Sequence, residues 1–162
     1  MLALMLPALP AGAKSSDRNE PMNIDAGAQS GTLSGDGKTV LSGGVVITQG
    51  TLDLRAGNAE IHIKDSEAVR AIFTGKQAKM KQQMDDGTWM DASADRIDYD
   101  ITNEVITLTG NYKVTSARGT NAGQRMIYNT RSGEMNSGGD GSRVRTVIQP
   151  KNKAPAAQGS GN

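Results

Sequence analysis

The stretch Leu108-Thr109-Gly110-Asn111-Tyr112-Lys113-Val114-Thr115 is one of three copies of a short phrase in this chain. The others are Leu41-Ser42-Gly43-Gly44-Val45-Val46-Ile47-Thr48 and Phe73-Thr74-Gly75-Lys76-Gln77-Ala78-Lys79-Met80. Each copy has an apolar residue, a Ser or Thr and a glycine ahead of a short alternating stretch. The copies begin at residues 41, 73 and 108, at nearly even intervals. Such a repeat indicates stacked supersecondary units, none of which can bury its apolar face alone.

Apolar and polar residues alternate around these phrases, which is the period of half-buried β-strands. Ile97 and Tyr99, for example, alternate with Asp98 and Asp100. Turn-forming Gly, Asn and Asp residues separate the alternating stretches, and the chain has 20 glycines. The pattern predicts an all-β fold of many short antiparallel strands with no helix. Strands with one apolar side must pair into a sandwich, close into a barrel or fold over as a trough.

The chain of 162 residues is long enough for one domain. Residues 1–13 contain the apolar run Leu2 to Leu9 and the small residues Ala11-Gly12-Ala13, and they predict a secretory signal peptide. No Lys or Arg precedes the run, so the true start of the signal is expected upstream of Met1. We predict a flexible N-terminal segment over 14–20, a folded domain over 21–150 and a disordered tail over 151–162.

Composition excludes several classes of function. The formal net charge is +1, which gives no strong field for attracting nucleic acid. The chain has no cysteine, so a disulfide, a thiolate nucleophile and a zinc-thiolate site are all excluded. Cysteine content does not distinguish an oxidising from a reducing compartment. We predict no cofactor and no metal.

Candidates for catalysis are few. His62 is the only histidine, and it lies on the polar side of its strand, where a solvated role is expected. Asp95, Asp98 and Asp100 form a local cluster that could suit a carboxylate pair or a calcium site. Asp98 and Asp100 lie on the same side of their strand, opposite Ile97 and Tyr99, and this arrangement is also typical of a solvated strand face. We therefore expect a protein that is not an enzyme, and the alternative is a carbohydrate-active β-solenoid enzyme that uses this cluster.

Four basic residues could meet phosphate groups. Lys79 and Lys81 share one strand face, and Arg143 and Arg145 share another. Solubilising charge at strand edges is an equally open interpretation.

The apolar residues leave two further interpretations open. Only 36% of the residues are hydrophobic and 3% are aromatic, so the inward faces are lined mostly by small and medium side chains. Such faces could leave room for alkyl chains, whose burial contributes about 0.8 kcal/mol per methylene. A plain packed core is the alternative.

The order and spacing of several phrases resemble the LptA (OstA-like) family of periplasmic lipopolysaccharide-transport proteins. The phrases are the three glycine-containing copies, Glu20-Pro21-Met22-Asn23-Ile24-Asp25-Ala26, Ala94-Asp95-Arg96-Ile97-Asp98-Tyr99-Asp100 and Arg143-Val144-Arg145-Thr146-Val147-Ile148-Gln149-Pro150. The resemblance implies an open, slightly twisted β-jellyroll, or V-shaped trough, of about sixteen antiparallel strands. It also implies a periplasmic, non-catalytic bridge that carries lipopolysaccharide from the inner to the outer membrane of a Gram-negative cell.

The resemblance further implies which residues and partners take part. The acyl chains of lipid A would contact a groove of inward-facing residues: Ile24, Val45, Ile47, Leu54, Ile61, Ile63, Phe73, Ile97, Tyr99, Leu108, Val114 and Tyr128. The edge strands would join copies head to tail: Met22, Asn23, Ile24, Asp25 and Ala26 at one edge, and Val144, Arg145, Thr146, Val147, Ile148 and Gln149 at the other. An inner-membrane-anchored protein and an outer-membrane barrel protein would be the partners at the ends of the bridge.

Overall fold

The computed structural model of the chain describes residues 14–151. The signal peptide predicted over 1–13 and the tail predicted over 151–162, apart from Lys151, lie outside these residues. Between residues 14 and 151, no helix is both long and apolar enough to cross a membrane.

The described part of the chain forms ten strands and one short 3-10 helix, Ser15–Asn19. All pairings are antiparallel, and all ten strands belong to one sheet, which confirms the predicted all-β class. The strands are β1 (Met22–Gly31), β2 (Gly37–Gln49), β3 (Leu52–Ala56), β4 (Asn58–Lys64), β5 (Glu67–Gln83), β6 (Trp89–Asp100), β7 (Val105–Ser116), β8 (Gly119–Asn129), β9 (Met135–Ser137) and β10 (Arg145–Ile148).

The sheet folds over on itself because its long strands bend. One half of β2, Val45–Gln49, pairs with β3, whereas the other half, Gly37–Leu41, pairs with β4. β5 likewise pairs with β3 and β4 through different halves, and the ladders of β1, β5, β6 and β7 break in register at the bend. We call the layer that contains β3 and β10 the front layer, and the layer that contains β4 and β9 the back layer. Their inward faces share one apolar core.

The bends lie along one line across the sheet, which we call the seam. The glycine of each repeated phrase lies on it: Gly43, Gly75 and Gly110 have φ angles of +76°, +90° and +80°. Gly57, which joins β3 to β4, donates its N–H to the carbonyl of Gly75 at 3.3 Å. A Cβ at Gly75 would lie 3.2 Å from the Gly57 Cα, so backbone packs against backbone here. The repeat in the sequence is therefore the repeat of a bend, and glycine both permits the conformation and leaves room for the neighbouring strand.

The core beside the seam is a continuous row of side chains. Cross-strand pairing aligns one inward residue from each of six consecutive strands of the back layer. None of the six is more than 3% exposed: Leu41, Ala59, Phe73, Ile97, Leu108 and Met126. The first residue of each repeated phrase belongs to this row.

The predicted number of about sixteen strands is not the number observed, which is ten among the described residues. The difference arises because a strand that continues through the bend remains one strand, although its two halves pair in different layers. At the edges, β1 includes the whole predicted stretch Met22 to Ala26 and continues to Gly31. β10 is shorter than expected: it includes Arg145 to Ile148, with Val144 and Gln149 flanking it.

The N-terminal segment 14–20, for which the sequence predicts flexibility, has regular structure and packs on the domain. Its 3-10 helix contains Asp17, a carboxylate that is only 4% exposed. The Asp17 side chain accepts hydrogen bonds from the Thr51 backbone N–H at 3.1 Å and from Gln82 at 3.2 Å, and it also contacts the Thr51 hydroxyl. A buried carboxylate with several donors fixes a segment whose own composition is polar.

Candidate functional site

The space between the two layers collects nearly all of the residues predicted to line a groove. Ten of the twelve are buried: Val45, Ile47, Leu54, Ile61, Ile63, Phe73, Ile97, Leu108, Val114 and Tyr128. Tyr99 is partly buried and packs against the same core. Ile24 lies on the edge strand β1 opposite Ile47, and it is 37% exposed. The side chains predicted to point inward thus do lie between the layers, whereas their contact with lipid remains a prediction.

Near the seam this space is filled by the protein itself. Leu41 and Leu108 are 0% and 2% exposed, and Tyr112 is 1% exposed. The Tyr112 hydroxyl donates a hydrogen bond to Asn121 Oδ1 at 2.6 Å, so this polar group is satisfied inside the core. This part of the interior is a packed core.

Away from the seam the layers separate and leave a cavity of about 310 Å³. Leu52 and Leu54 line it from the front layer, and Ile61, Phe73 and Tyr99 from the back layer. A smaller lobe of about 50 Å³ shares Leu52, Leu54 and Tyr99 with it. The two lobes form one space at the open side of the fold, which we call the mouth cavity. The larger lobe is mostly apolar, whereas polar side chains such as Asp17, Gln49 and Gln82 also line the smaller one.

One inward row of the front layer runs from the first strand of the sheet to the last. Its members, aligned by cross-strand pairing, are Ile24, Ile47, Leu54, Met80, Ala92, Val114, Asn121 and Thr146. Asn121 donates a hydrogen bond from Nδ2 to the Thr146 hydroxyl oxygen at 2.8 Å. The row is therefore apolar over six strands and polar at the β10 edge.

A second opening lies near that edge. A cavity of about 110 Å³ is lined by Met84, Met90 and Val114 from the front layer and by Tyr128 and Met135 from the back layer. The Tyr128 hydroxyl is buried and has no hydrogen-bond partner within residues 14–151. Burial, followed by the nearby Asp85 charge, raises the pKa of Tyr128, so the group stays a neutral phenol that can donate a hydrogen bond.

The segment 14–20, which we call the strap, is attached to the front layer beside the mouth cavity, and its Arg18 side chain reaches the back layer. On the front side Lys14 donates its backbone N–H to the Gln83 carbonyl at 3.0 Å, and Ser15 donates its N–H to Asp85 at 2.9 Å. On the back side Arg18 forms an ion pair with Glu104, which follows β6 in a tight turn with φ +57°. Arg18 and Glu104 both line the cavity.

Glu104 has a second cationic partner. Arg131, in the turn between β8 and β9, forms an ion pair with the other carboxylate oxygen. The backbone supports this arrangement, since the Thr130 N–H donates to the Glu104 carbonyl at 2.9 Å. Sequence reasoning missed Arg18, Glu104 and Arg131, because they lie in three separate turns or segments and no local motif connects them.

The acidic cluster of the alternative enzyme interpretation is divided among separate structural roles. Asp98 accepts hydrogen bonds from Arg70 at 2.8 and 2.6 Å, and these bonds hold the pKa of Asp98 below its ordinary value. Asp100 caps a turn through Asn103, and Asp95 accepts a hydrogen bond from Asn111 at the seam. A carboxylate with a lowered pKa is a poor general acid.

The other candidates lie on outer surfaces. His62 Nε2 is 2.7 Å from Glu60 Oε1 on a half-exposed strand face. Lys79 and Lys81 line a shallow depression on the outer surface together with Arg55. Their side chains point to the opposite side of the strand from the buried Met80. Within the described residues no group of three or more His, Asp or Glu side chains is arranged to hold a metal ion.

The fold and the site define a class of protein: an all-β domain whose single bent sheet encloses an apolar cavity and covers its mouth with an N-terminal strap. A family model described as "LptA/(LptD N-terminal domain) LPS transport protein" matches residues 23–134. The chain therefore belongs to this family, which confirms the resemblance seen in its sequence.

Individual relatives agree with this assignment. The chain is 30% identical over 158 residues to the lipopolysaccharide export system protein LptA of Haemophilus influenzae, a match that covers 93% of this chain and 89% of that protein. It is 28% identical over 151 residues to LptA of Escherichia coli K12, covering 91% and 81%. The crystal structure of LptH from Pseudomonas aeruginosa superposes with a TM-score of 0.72 at 27% identity, covering 83% of this chain and 99% of that one. That structure is described as the LptA-homologous periplasmic component of the lipopolysaccharide transport device.

Proposed function

We propose that this protein is a periplasmic carrier of lipopolysaccharide that takes the acyl chains of lipid A between its two layers. One observation supports the proposal most directly: the mouth cavity of about 310 Å³ is lined by apolar side chains from both layers. Apolar walls favour burial of methylene groups at about 0.8 kcal/mol each. The names of the relatives support the same ligand, since both LptA proteins are described as lipopolysaccharide export proteins.

The proposal includes head-to-tail assembly of copies into a bridge. Both edge strands have a free side within the described chain: β1 pairs only with β2, and β10 pairs only with β8. Large apolar residues are exposed along both edges, with Met22 at 46%, Val147 at 44% and Ile148 at 80%. Open edges favour pairing with another chain by β-augmentation. The end partners would be an inner-membrane-anchored protein and an outer-membrane barrel protein of the same transport system.

Site-specific crosslinking tests the ligand and its place. A photo-crosslinking phenylalanine analogue at Tyr99, which lines the cavity, is expected to capture lipopolysaccharide in cells. The matched control is the same analogue at Thr107, on the neighbouring strand β7 opposite Asp98 and on the outer parity. Equal capture at both positions, or none at Tyr99, would contradict the proposal.

The backbone of β10 allows a sharp test of assembly. The Gln149 N–H donates to the Arg118 carbonyl at 2.9 Å, so by strand alternation the Val147 N–H points toward β8 and the Ile148 N–H points outward. Ile148→Pro removes an outward donor while leaving the β8 pairing in place. We expect it to abolish concentration-dependent oligomers in light scattering, whereas Ile148→Ala keeps them. A wild-type protein that stays monomeric at high concentration would overturn the assembly proposal.

A further inference from the structure

The mouth cavity has an arginine, Arg18, and a buried carboxylate, Glu104, at its rim, and a second arginine, Arg131, contacts that carboxylate from the adjoining turn. The Glu104 side chain is only 7% exposed, and Arg18 and Arg131 contact its two different oxygens. The side chains of the arginines are 53% and 78% exposed, so both guanidinium groups reach solvent while they are paired. Lys14 and Asp17, which line the smaller lobe, balance each other in charge, so two arginines against one glutamate leave a positive surplus at the edge of the larger, mostly apolar lobe.

This cationic rim adjoins the place where an acyl chain would be buried. Arg18 lines both lobes of the mouth cavity, and Glu104 lines the larger one together with Leu54, Phe73 and Tyr99. An amphiphile with its chains in this cavity would have its polar end at the rim. The planar guanidinium group binds phosphate through two parallel hydrogen bonds, which makes paired arginines a suitable phosphate site.

The strap depends on the same residues. Apart from two hydrogen bonds within the strap itself, its hydrogen bonds, through Lys14, Ser15, Asp17 and Glu20, join it to the front layer and the turns that follow the front strands. Among the described residues, the ion pair between Arg18 and Glu104 is the polar contact that ties the strap to the back layer. Whatever takes Arg18 away from Glu104 therefore releases the strap from the back layer.

We propose that Arg18 and Arg131 bind the phosphate of an amphiphile whose acyl chains lie in the mouth cavity, and that Glu104 occupies this phosphate site in the empty protein. The inference rests on the proposed function for the acyl chains. It adds the position of the anionic headgroup and the group that competes with it. Arrival of the phosphate displaces Glu104, frees the strap from the back layer and opens the mouth from its side.

Binding measurements on the full chain with purified lipid A test the inference. The variant Arg18→Gln/Arg131→Gln is expected to weaken lipid A binding about tenfold or more, since it removes the charge-assisted hydrogen bonds of both guanidinium groups to the phosphate. The same variant should still bind N-phenyl-1-naphthylamine, a neutral apolar probe, because the apolar walls of the cavity are kept. The matched control, Arg96→Gln/Arg125→Gln, removes two exposed arginines from the outer face of the back layer and should change neither affinity.

Glu104→Gln distinguishes competition from a structural role. It keeps the shape of the side chain and frees both arginines, so we expect it to bind lipid A more tightly, and dephosphorylated lipid A no more tightly, than the wild type. Weaker lipid A binding by Glu104→Gln, or unchanged binding by Arg18→Gln/Arg131→Gln, would overturn the inference. A wild type that binds dephosphorylated lipid A as tightly as lipid A would overturn it and leave the acyl-chain site standing. A wild type that binds neither form of lipid A would overturn the proposed function as well.

Discussion

The seam side and the mouth side of the interlayer space are built from the same strands, yet they differ in how completely they are filled. Beside the seam, Leu41 and Leu108 are at most 2% exposed. At the mouth, Leu52, Tyr99 and Ile101 are only partly buried and line a cavity of about 310 Å³. The backbones meet at the seam, so the layers are close there and diverge with distance from it. Whether a residue points inward therefore does not tell filled core from open cavity, whereas its distance from the bend does.

The largest effect is expected from truncating the filled side. Leu108→Ala should lower the free energy of unfolding by about 3 kcal/mol, because it leaves a void in a closed row. Leu52→Ala, at the partly buried cavity wall, should cost less than about 1.5 kcal/mol and weaken binding of an apolar probe. Urea denaturation of both variants gives the comparison. Equal losses of stability would show that the two sides are packed alike.

A smaller loss is expected at the seam backbone. Gly75 and Gly87 have nearly the same φ, +90° and +84°, but a Cβ at Gly75 would lie 3.2 Å from the Gly57 Cα, whereas a Cβ at Gly87 would meet nothing within 4 Å. Gly87→Ala should cost about 1 kcal/mol from its left-handed φ alone. Gly75→Ala should cost about 2 kcal/mol, because a strand must also shift. Thermal unfolding of the two variants separates the cost of the close backbone approach from the cost of the left-handed φ. Equal losses of stability would contradict a tightly packed seam.

The smallest effect on global stability is expected at the strap. Burial acts to raise the pKa of Asp17, but hydrogen bonds from Thr51 and Gln82 and the Lys14 charge outweigh it, so the folded pKa lies below the ordinary 3.8. The strap attachment is thus fully present above pH 3.8 and is lost as the pH falls through the lowered folded value.

Hydrogen exchange of residues 14–20 at decreasing pH measures this release. We expect exchange in the strap to rise below pH 3.8, after correction for the intrinsic rate, while the β7 core stays protected. Asp17→Asn should remove the pH dependence. A strap that remains protected in the acid range would show that Asp17 does not fix it.

Much of the fold is predictable from the sequence because it depends on local patterns. Strand alternation assigns Ile61, Ile97 and Leu108 to the inward face, and the repeated glycines mark positions that need special backbone conformations. The count of strands is not predictable in the same way. Whether Gly75 ends a strand or bends one depends on the neighbouring Gly57 backbone, which no local pattern encodes.

The site is predictable only in part, for a related reason. Strand alternation predicts which apolar residues point into the space between the layers. The boundary between filled core and open cavity depends instead on the separation of the layers. Arg18, Glu104 and Arg131 come together from the strap and two turns that are far apart in the chain. The basic residues noticed in the sequence, such as Lys79 and Lys81, share a strand face, and that face is the outer one.

Strand order has a consequence for any polymer of this molecule. Each layer contains eight strands: β1, β2, β3, β5, β6, β7, β8 and β10 in front, and β1, β2, β4, β5, β6, β7, β8 and β9 behind. Because neighbours alternate in direction and eight is even, the first and last strands of a layer run oppositely. If an identical copy were added by translation, its β1 would lie antiparallel to β10 in the front layer and to β9 in the back layer. The two copies would not be related by a twofold axis. Such a fibre would have chemically distinct ends, and each end would require its own terminating protein.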